Sequence, residues 1–188
     1  MAGRLDGKRI ALFVEEGFED SELTKPLEFL RAEGADVTLV GSGRQETFTG
    51  KGGTRVTPEC EATEVTAEEF DAFVVPGGYA PEKMRMSPAM VVLIAEADDH
   101  GKIIAAICHG PQLLISADVL HDHMVTCYPS IAVDVRNSGA NYVDEPVVCS
   151  GNIITSRTPD DIPDFNEAIV ELLTSVVEKH KQPMIAGA

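Results

Sequence analysis

Residues 103–107 read IIAAI and enter Cys108-His109-Gly110-Pro111 without a polar break. A strand that alternates apolar and polar residues can keep one face in water, whereas one that is apolar throughout fits a sheet covered on both faces. That run points to a buried parallel strand between two layers of helices. Its surroundings repeat the pattern. Arg9–Val14 is a short apolar run that stops at Glu15-Glu16-Gly17. Residues 22–33 then carry Leu23, Leu27, Phe29 and Leu30 at helical spacing, Gly34 closes the helix, and Asp36–Val40 supplies a second strand.

Farther along, Ala72–Val75 ends at Pro76-Gly77-Gly78 and leads to a helix over 88–98, and residues 112–120 look helical after the cysteine. Strands are expected at 125–128, 147–149 and 153–156. A final amphipathic helix over 163–179 presents Phe165, Ile169, Leu172, Leu173, Val176 and Val177. The stretch 41–66, rich in Gly, Thr and charge, reads as a hairpin or excursion around residues 54–57. Alternating strands and helices predict a flavodoxin-like three-layer α/β/α sandwich with a mostly parallel sheet and ligands at the carboxyl ends of its strands. A length of 188 residues fits one domain over 1–188, with its core at about 9–180.

Composition removes several classes of function. With 31 Asp and Glu against 15 Lys and Arg, the chain carries a formal charge of −16, which repels phosphate backbones and anionic lipid. Neither nucleic acid nor a membrane is an expected partner. No apolar run approaches the roughly 20 residues of a membrane span, and the N-terminus lacks a signal-peptide core, so a cytoplasmic location is expected. The cysteines at 60, 108, 127 and 149 are too few and too scattered for a disulfide framework, and no CxxC pair points to zinc.

Chemistry concentrates in Ala106-Ile107-Cys108-His109-Gly110, a small-x-nucleophile-x-Gly pattern between a buried strand and a helix. That is the layout of a nucleophile elbow, whose small flanking residues let the chain turn sharply with the cysteine in a strained conformation. Amides at a helix start favour a thiolate, so a lowered thiol pKa is expected for Cys108. Cys60, Cys127 and Cys149 read as ordinary buried cysteines. The backbone N–H groups of Gly78 and His109 are candidates for an oxyanion hole. In the acidic cluster, Glu15, Glu16 and Glu22 read as solvated or as stabilising a helix start. Glu19, if it turns inward, is the carboxyl that hydrogen-bonds the sulfur.

His109 poses a geometric difficulty, because adjacent residues on a helix do not face one another and the imidazole needs an orienting group; Glu82 is the candidate. His100, His121, His123 and His180 read as surface residues, and no metal or cofactor is called for.

The segments VVPGGYAPEKMR, AAICHGPQLL, TCYPSI and GNIITSRTPDD, in that order, resemble the PfpI-type intracellular cysteine peptidases. These are a branch of the ThiJ/PfpI group within the class I glutamine amidotransferase-like superfamily. The resemblance runs from Arg9 to about Leu173. It implies Cys108 as nucleophile and His109 as its partner, with Glu82 reaching that imidazole from an adjacent subunit of a homo-oligomer. It also implies Glu19 on the sulfur, oxyanion amides from Gly78 and His109, and Tyr128 lining the pocket. Where the family's GKHG motif has His, this chain has Gly52.

Two functions follow as expectations. The first is a cofactor-independent hydrolase whose thiolate attacks a carbonyl of a peptide, a small dicarbonyl or a glycated adduct, giving peptidase, glyoxalase or deglycase activity in stress protection. The second is a redox-sensing stress protein or holdase using the same cysteine. An amidotransferase fits less well, since its His and Glu normally lie downstream at one strand end.

Overall fold

The computed structural model describes residues 3–181, with side chains through Ser175. The chain runs β1 (Arg9–Val14), α1 (Asp20–Ala32), β2 (Asp36–Gly41), β3 (Phe48–Thr49), β4 (Arg55–Val56), β5 (Cys60–Glu61) and β6 (Ala72–Val75). It continues through α2 (Ala80–Met84), α3 (Pro88–Asp99), β7 (Ile103–Ile107), α4 (Pro111–Ser116), β8 (Met124–Val125) and α5 (Ala132–Asn137). The last elements are β9 (Asn141–Tyr142), β10 (Val147–Ser150), β11 (Ile153–Ser156) and α6 (Ile162–Lys181).

Seven strands form one sheet in the order β10-β11-β7-β6-β1-β2-β5, parallel except for β10 against β11. This is the flavodoxin-like sandwich. From β1 the chain steps to β2 on one side, and from β6 to β7 on the other. Right-handed crossovers in opposite directions put α1 and α3 on opposite faces of the sheet. Accordingly α1 packs on α6, while α3 packs on α4. The reversal falls between β1 and β6, so their carboxyl ends open the crevice where such sheets bind ligands.

Every residue of β6 and β7, and β1 from Ile10 onward, is buried, which is why these strands carry no alternation. Phe73 sits edge-on to Phe13 at 5.9 Å and to Phe70 at 5.5 Å, filling one side of the sheet. Each such side chain contributes about 1.5–3 kcal/mol on burial.

Several expectations change. The strand expected over 125–128 is confined to Met124–Val125, paired with β9 outside the main sheet. Beyond it the backbone is diverted: Thr126 N donates to Thr155 Oγ1 at 3.0 Å and Tyr128 N to Cys108 O at 2.9 Å. The helix after the cysteine stops at Ser116, because Asp118 takes a φ of 58°. Cys149 is exposed rather than buried, since it lies on edge strand β10, and Cys60 is half-buried. His123 is half-buried, its Nδ1 2.9 Å from Ser150 O. The expected core positions Val176 and Val177 and the side chain of His180 lie outside the described residues. Among the described residues, no helix is long and apolar enough to cross a membrane.

Candidate active site

The turn from β7 into α4 takes three residues, Cys108, His109 and Gly110, and sterics set the first and the last. Cys108 has a φ of 62°, the left-handed region that costs an L-residue about 1–3 kcal/mol. Its N–H donates to Ser156 O and its carbonyl accepts from Tyr128 N, both at 2.9 Å, so the neighbouring segments hold the strain in place. A Cβ on Gly110 would stand 2.5 Å from Val75 O. Gly77, opposite, would place a Cβ 2.8 Å from Cys108 Cβ and 2.9 Å from His109 N. Glycine is required at both positions for the strands to close around the sulfur.

Cys108 is 7% exposed and faces a cavity of about 280 Å³ that also touches Glu22, Lys51, Gly78, His109 and Tyr128. The backbone N–H groups of His109 and Gly78 lie close enough to the sulfur to pull its pKa down. His109 Nδ1 is 3.3 Å from Cys108 Sγ. The objection to adjacent residues does not apply here, because His109 precedes α4 and the left-handed cysteine swings the two side chains together. The imidazole stacks on Tyr128 at 4.8 Å and 27°, and its Nε2 lies 3.2 Å from Ser130 Oγ. Burial, with Lys51 nearby, lowers the His109 pKa and favours the neutral ring.

The carboxyl at the sulfur is Glu22, and this corrects the expectation for Glu19. Glu22 is fully buried; its Oε2 accepts from Gly77 N at 2.7 Å, and a Cβ on Gly77 would stand 2.5 Å from that oxygen and 2.8 Å from Cys108 Cβ, which puts the carboxyl beside the cysteine. Its Oε1 has no hydrogen-bond partner among the described residues. Glu19, at the N-cap of α1, turns instead to Lys51, with Oε2 2.8 Å from Nζ. Two other acidic residues also depart from solvation. Glu15 is 1% exposed with Oε1 accepting from Glu16 N, and Glu16 Oε2 accepts from Thr49 N, each at 2.8 Å. Glu82 is exposed on α2 and forms no hydrogen bond or ion pair among the described residues; within the chain it is Ser130 that meets the imidazole.

Burial pushes the Glu22 carboxyl up to about 7. The expected depression of the Cys108 thiol is reversed: desolvation and the neighbouring Glu22 charge push it up, outweighing the two amides that pull it down. At six residues, α4 contributes little dipole. Thiol and carboxyl thus compete for protons as one buried pair whose titration belongs to both.

Such a strand, turning through a left-handed cysteine one strand from a parallel sheet's switch point, defines an α/β protein with a nucleophile elbow. Residues 8–172 match the DJ-1/PfpI family, and the chain belongs to it. General stress protein 18 of Bacillus subtilis is 42% identical over 169 residues, 89% of this chain and 98% of that protein. Protein/nucleic acid deglycase 2 of Escherichia coli is 42% identical over 168 residues, 88% and 98% of the two chains. Among solved structures, a two-domain protein of Anabaena variabilis with DJ-1/ThiJ/PfpI-like and ferritin-like domains superposes with a TM-score of 0.87 at 42% identity, over 88% of this chain and 50% of that one.

Proposed function

We propose that this protein is a cofactor-independent cysteine enzyme that acts on small α-dicarbonyls or on their adducts with amines. The observation that carries this reading is the cavity. At about 280 Å³ it lies at or below the roughly 300–1,000 Å³ of pockets for drug-sized ligands, and a nucleophile with two amides close by forms one wall. An extended peptide needs a longer groove. The deglycase relative from Escherichia coli supports the same substrate class.

In the proposed reaction Cys108 Sγ bonds to the aldehyde carbon, and the C=O electron pair moves to oxygen, where the Gly78 and His109 N–H groups stabilise it. The thiol proton passes to Glu22 or to His109 Nδ1. His109 then moves a proton from the attacked carbon to its carbonyl neighbour, leaving a thioester, and water releases a 2-hydroxy acid and the thiol. Tyr128 packs the imidazole ring, and in the tautomer this step requires Nε2–H donates to Ser130 Oγ, 3.2 Å away, and leaves Nδ1 free to accept.

The proposal extends to a homo-oligomer in which Glu82 of the partner subunit approaches the exposed side of His109. Tyr79 and Met86, 65% and 67% exposed on either side of Glu82, supply an apolar surface for that contact. Incubating the protein with methylglyoxal and with a methylglyoxal-treated peptide should give turnover that Cys108→Ser lowers at least about 10³-fold. Turnover no higher than that of Cys108→Ser overturns the reading. Mixed Cys108→Ser and Glu82→Gln proteins should regain activity on subunit exchange; exchange without recovery rules out the shared site.

A further inference from the structure

Lys51 stands at the mouth of the cavity, at the tip of the β3–β4 hairpin, with no part in the reaction above. The hairpin turn is fixed from outside. Asp20 accepts from Gly52 N at 2.6 Å and Thr54 N at 2.9 Å, and Lys51 N donates to Phe18 O at 2.9 Å. So anchored, the ammonium lies 2.8 Å from Glu19 and 5.2 Å from the Tyr79 ring centroid.

The charged and titratable groups around it come from three connections: Glu19 and Glu22 from the N-cap and first turn of α1, Tyr79 after β6, and Cys108 and His109 from the elbow, with Tyr128 across the cavity. Among the described residues lining the cavity, Lys51 is the one Lys or Arg. A buried thiol and carboxyl must hold negative charge at a desolvated site during attack, where a cation counts for more than in water. We propose that Lys51 is a positioning residue for this reaction: its ammonium, tethered by Glu19 and Tyr79, stabilises the anion shared by Cys108 and Glu22, and Glu19 moderates that effect. In keeping with this, Lys51 lowers the pKa of both Glu22 and His109. This inference rests on Cys108 being the nucleophile of the function proposed above.

The test is the rate of Cys108 alkylation by iodoacetamide, followed by mass spectrometry from pH 5 to 10. Lys51→Met should raise the apparent pKa of alkylation by about one unit, roughly tenfold in rate below that pKa. Lys51→Arg should stay close to wild type, and Glu19→Gln should move the pKa down. A loosened hairpin would not produce shifts of opposite sign. Unchanged profiles, or shifts in the same direction, overturn the proposal; if Lys51→Met does not fold, the sign of the Glu19→Gln shift decides. Alkylation needs no substrate. A Lys51-dependent profile without dicarbonyl turnover therefore sinks the proposed function alone, and turnover without that dependence sinks this inference alone.

Discussion

The β7–α4 and β1–α1 connections approach the same glycine, Gly77, from either side of β6, yet they are built on different principles. In the first, three residues turn the chain, and backbone sterics set Cys108 and Gly110. In the second, five residues separate strand and helix, and from Glu16 to Glu22 the carboxylates are oriented by distant partners, Glu15 alone being held by its neighbour's amide. Glu16 meets Thr49, Glu19 meets Lys51, Asp20 meets the amides of Gly52 and Thr54, and Glu22 meets Gly77. A tight turn carries its instructions in its own residues. A longer acidic loop receives them from residues 32 to 55 positions away.

The sharpest way to break that contrast is to alter the glycine both connections share. In Gly77→Ala the new Cβ would stand 2.5 Å from Glu22 Oε2 as well as pressing on Cys108 and His109. It should lower unfolding free energy by about 1–3 kcal/mol. Activity should fall by two orders of magnitude or more, roughly what about 3 kcal/mol of misplacement costs a reaction. Wild-type stability in denaturant together with wild-type turnover would show that the connections do not close on each other.

Glu22→Gln tests one carboxylate at a time. Because burial raises the folded-state pKa to about 7 from the usual 4.5, the carboxyl favours the native state fully below pH 4.5 and loses that advantage as pH rises through 7. Relative to Glu22→Gln, wild type should therefore lose about 3 kcal/mol between pH 4.5 and pH 8. Paired denaturation curves at the two pH values measure it, and a pH-independent difference would refute the burial of that charge. Glu19→Gln, which removes one half of a partly exposed ion pair, should change stability by less than about 1 kcal/mol.

This contrast also explains how far the sequence could be read. The all-apolar β7 run, the elbow residues and the glycines after β6 rest on local sterics, so the sheet, the switch-point cleft and the Cys108 turn could be located from composition and spacing. Which acidic residue turned inward could not be settled from the cluster itself. A signal existed on α1, where Glu22 shares the buried face with Leu23, Pro26 and Leu30, whereas Glu19 sits at the N-cap. The direction of the Cys108 shift has no local signature, because the desolvation and the carboxylate that outweigh the helix-start amides arise only in the fold. Ser130 and Lys51 have no local signature. They reach the site only through the diverted backbone after β8 and the hairpin anchored on Asp20.

The smallest expected effect asks whether one chain suffices to orient His109. Ser130 is exposed, and its hydroxyl is the nearer candidate to accept from Nε2–H. An exposed hydrogen bond is worth about 0.5–1.5 kcal/mol, so Ser130→Ala should lower kcat about two- to tenfold with little change in KM. Stacking on Tyr128 remains in that variant and keeps the ring near the sulfur, which argues for the low end of the range. The informative quantity is its rank against Glu82→Gln in the same assay. A larger loss from Glu82→Gln means that a second copy completes the imidazole's surroundings and Ser130 holds the ring only until assembly. A larger loss from Ser130→Ala means that the loop after β8, diverted by its bond to Cys108, already supplies the orienting group.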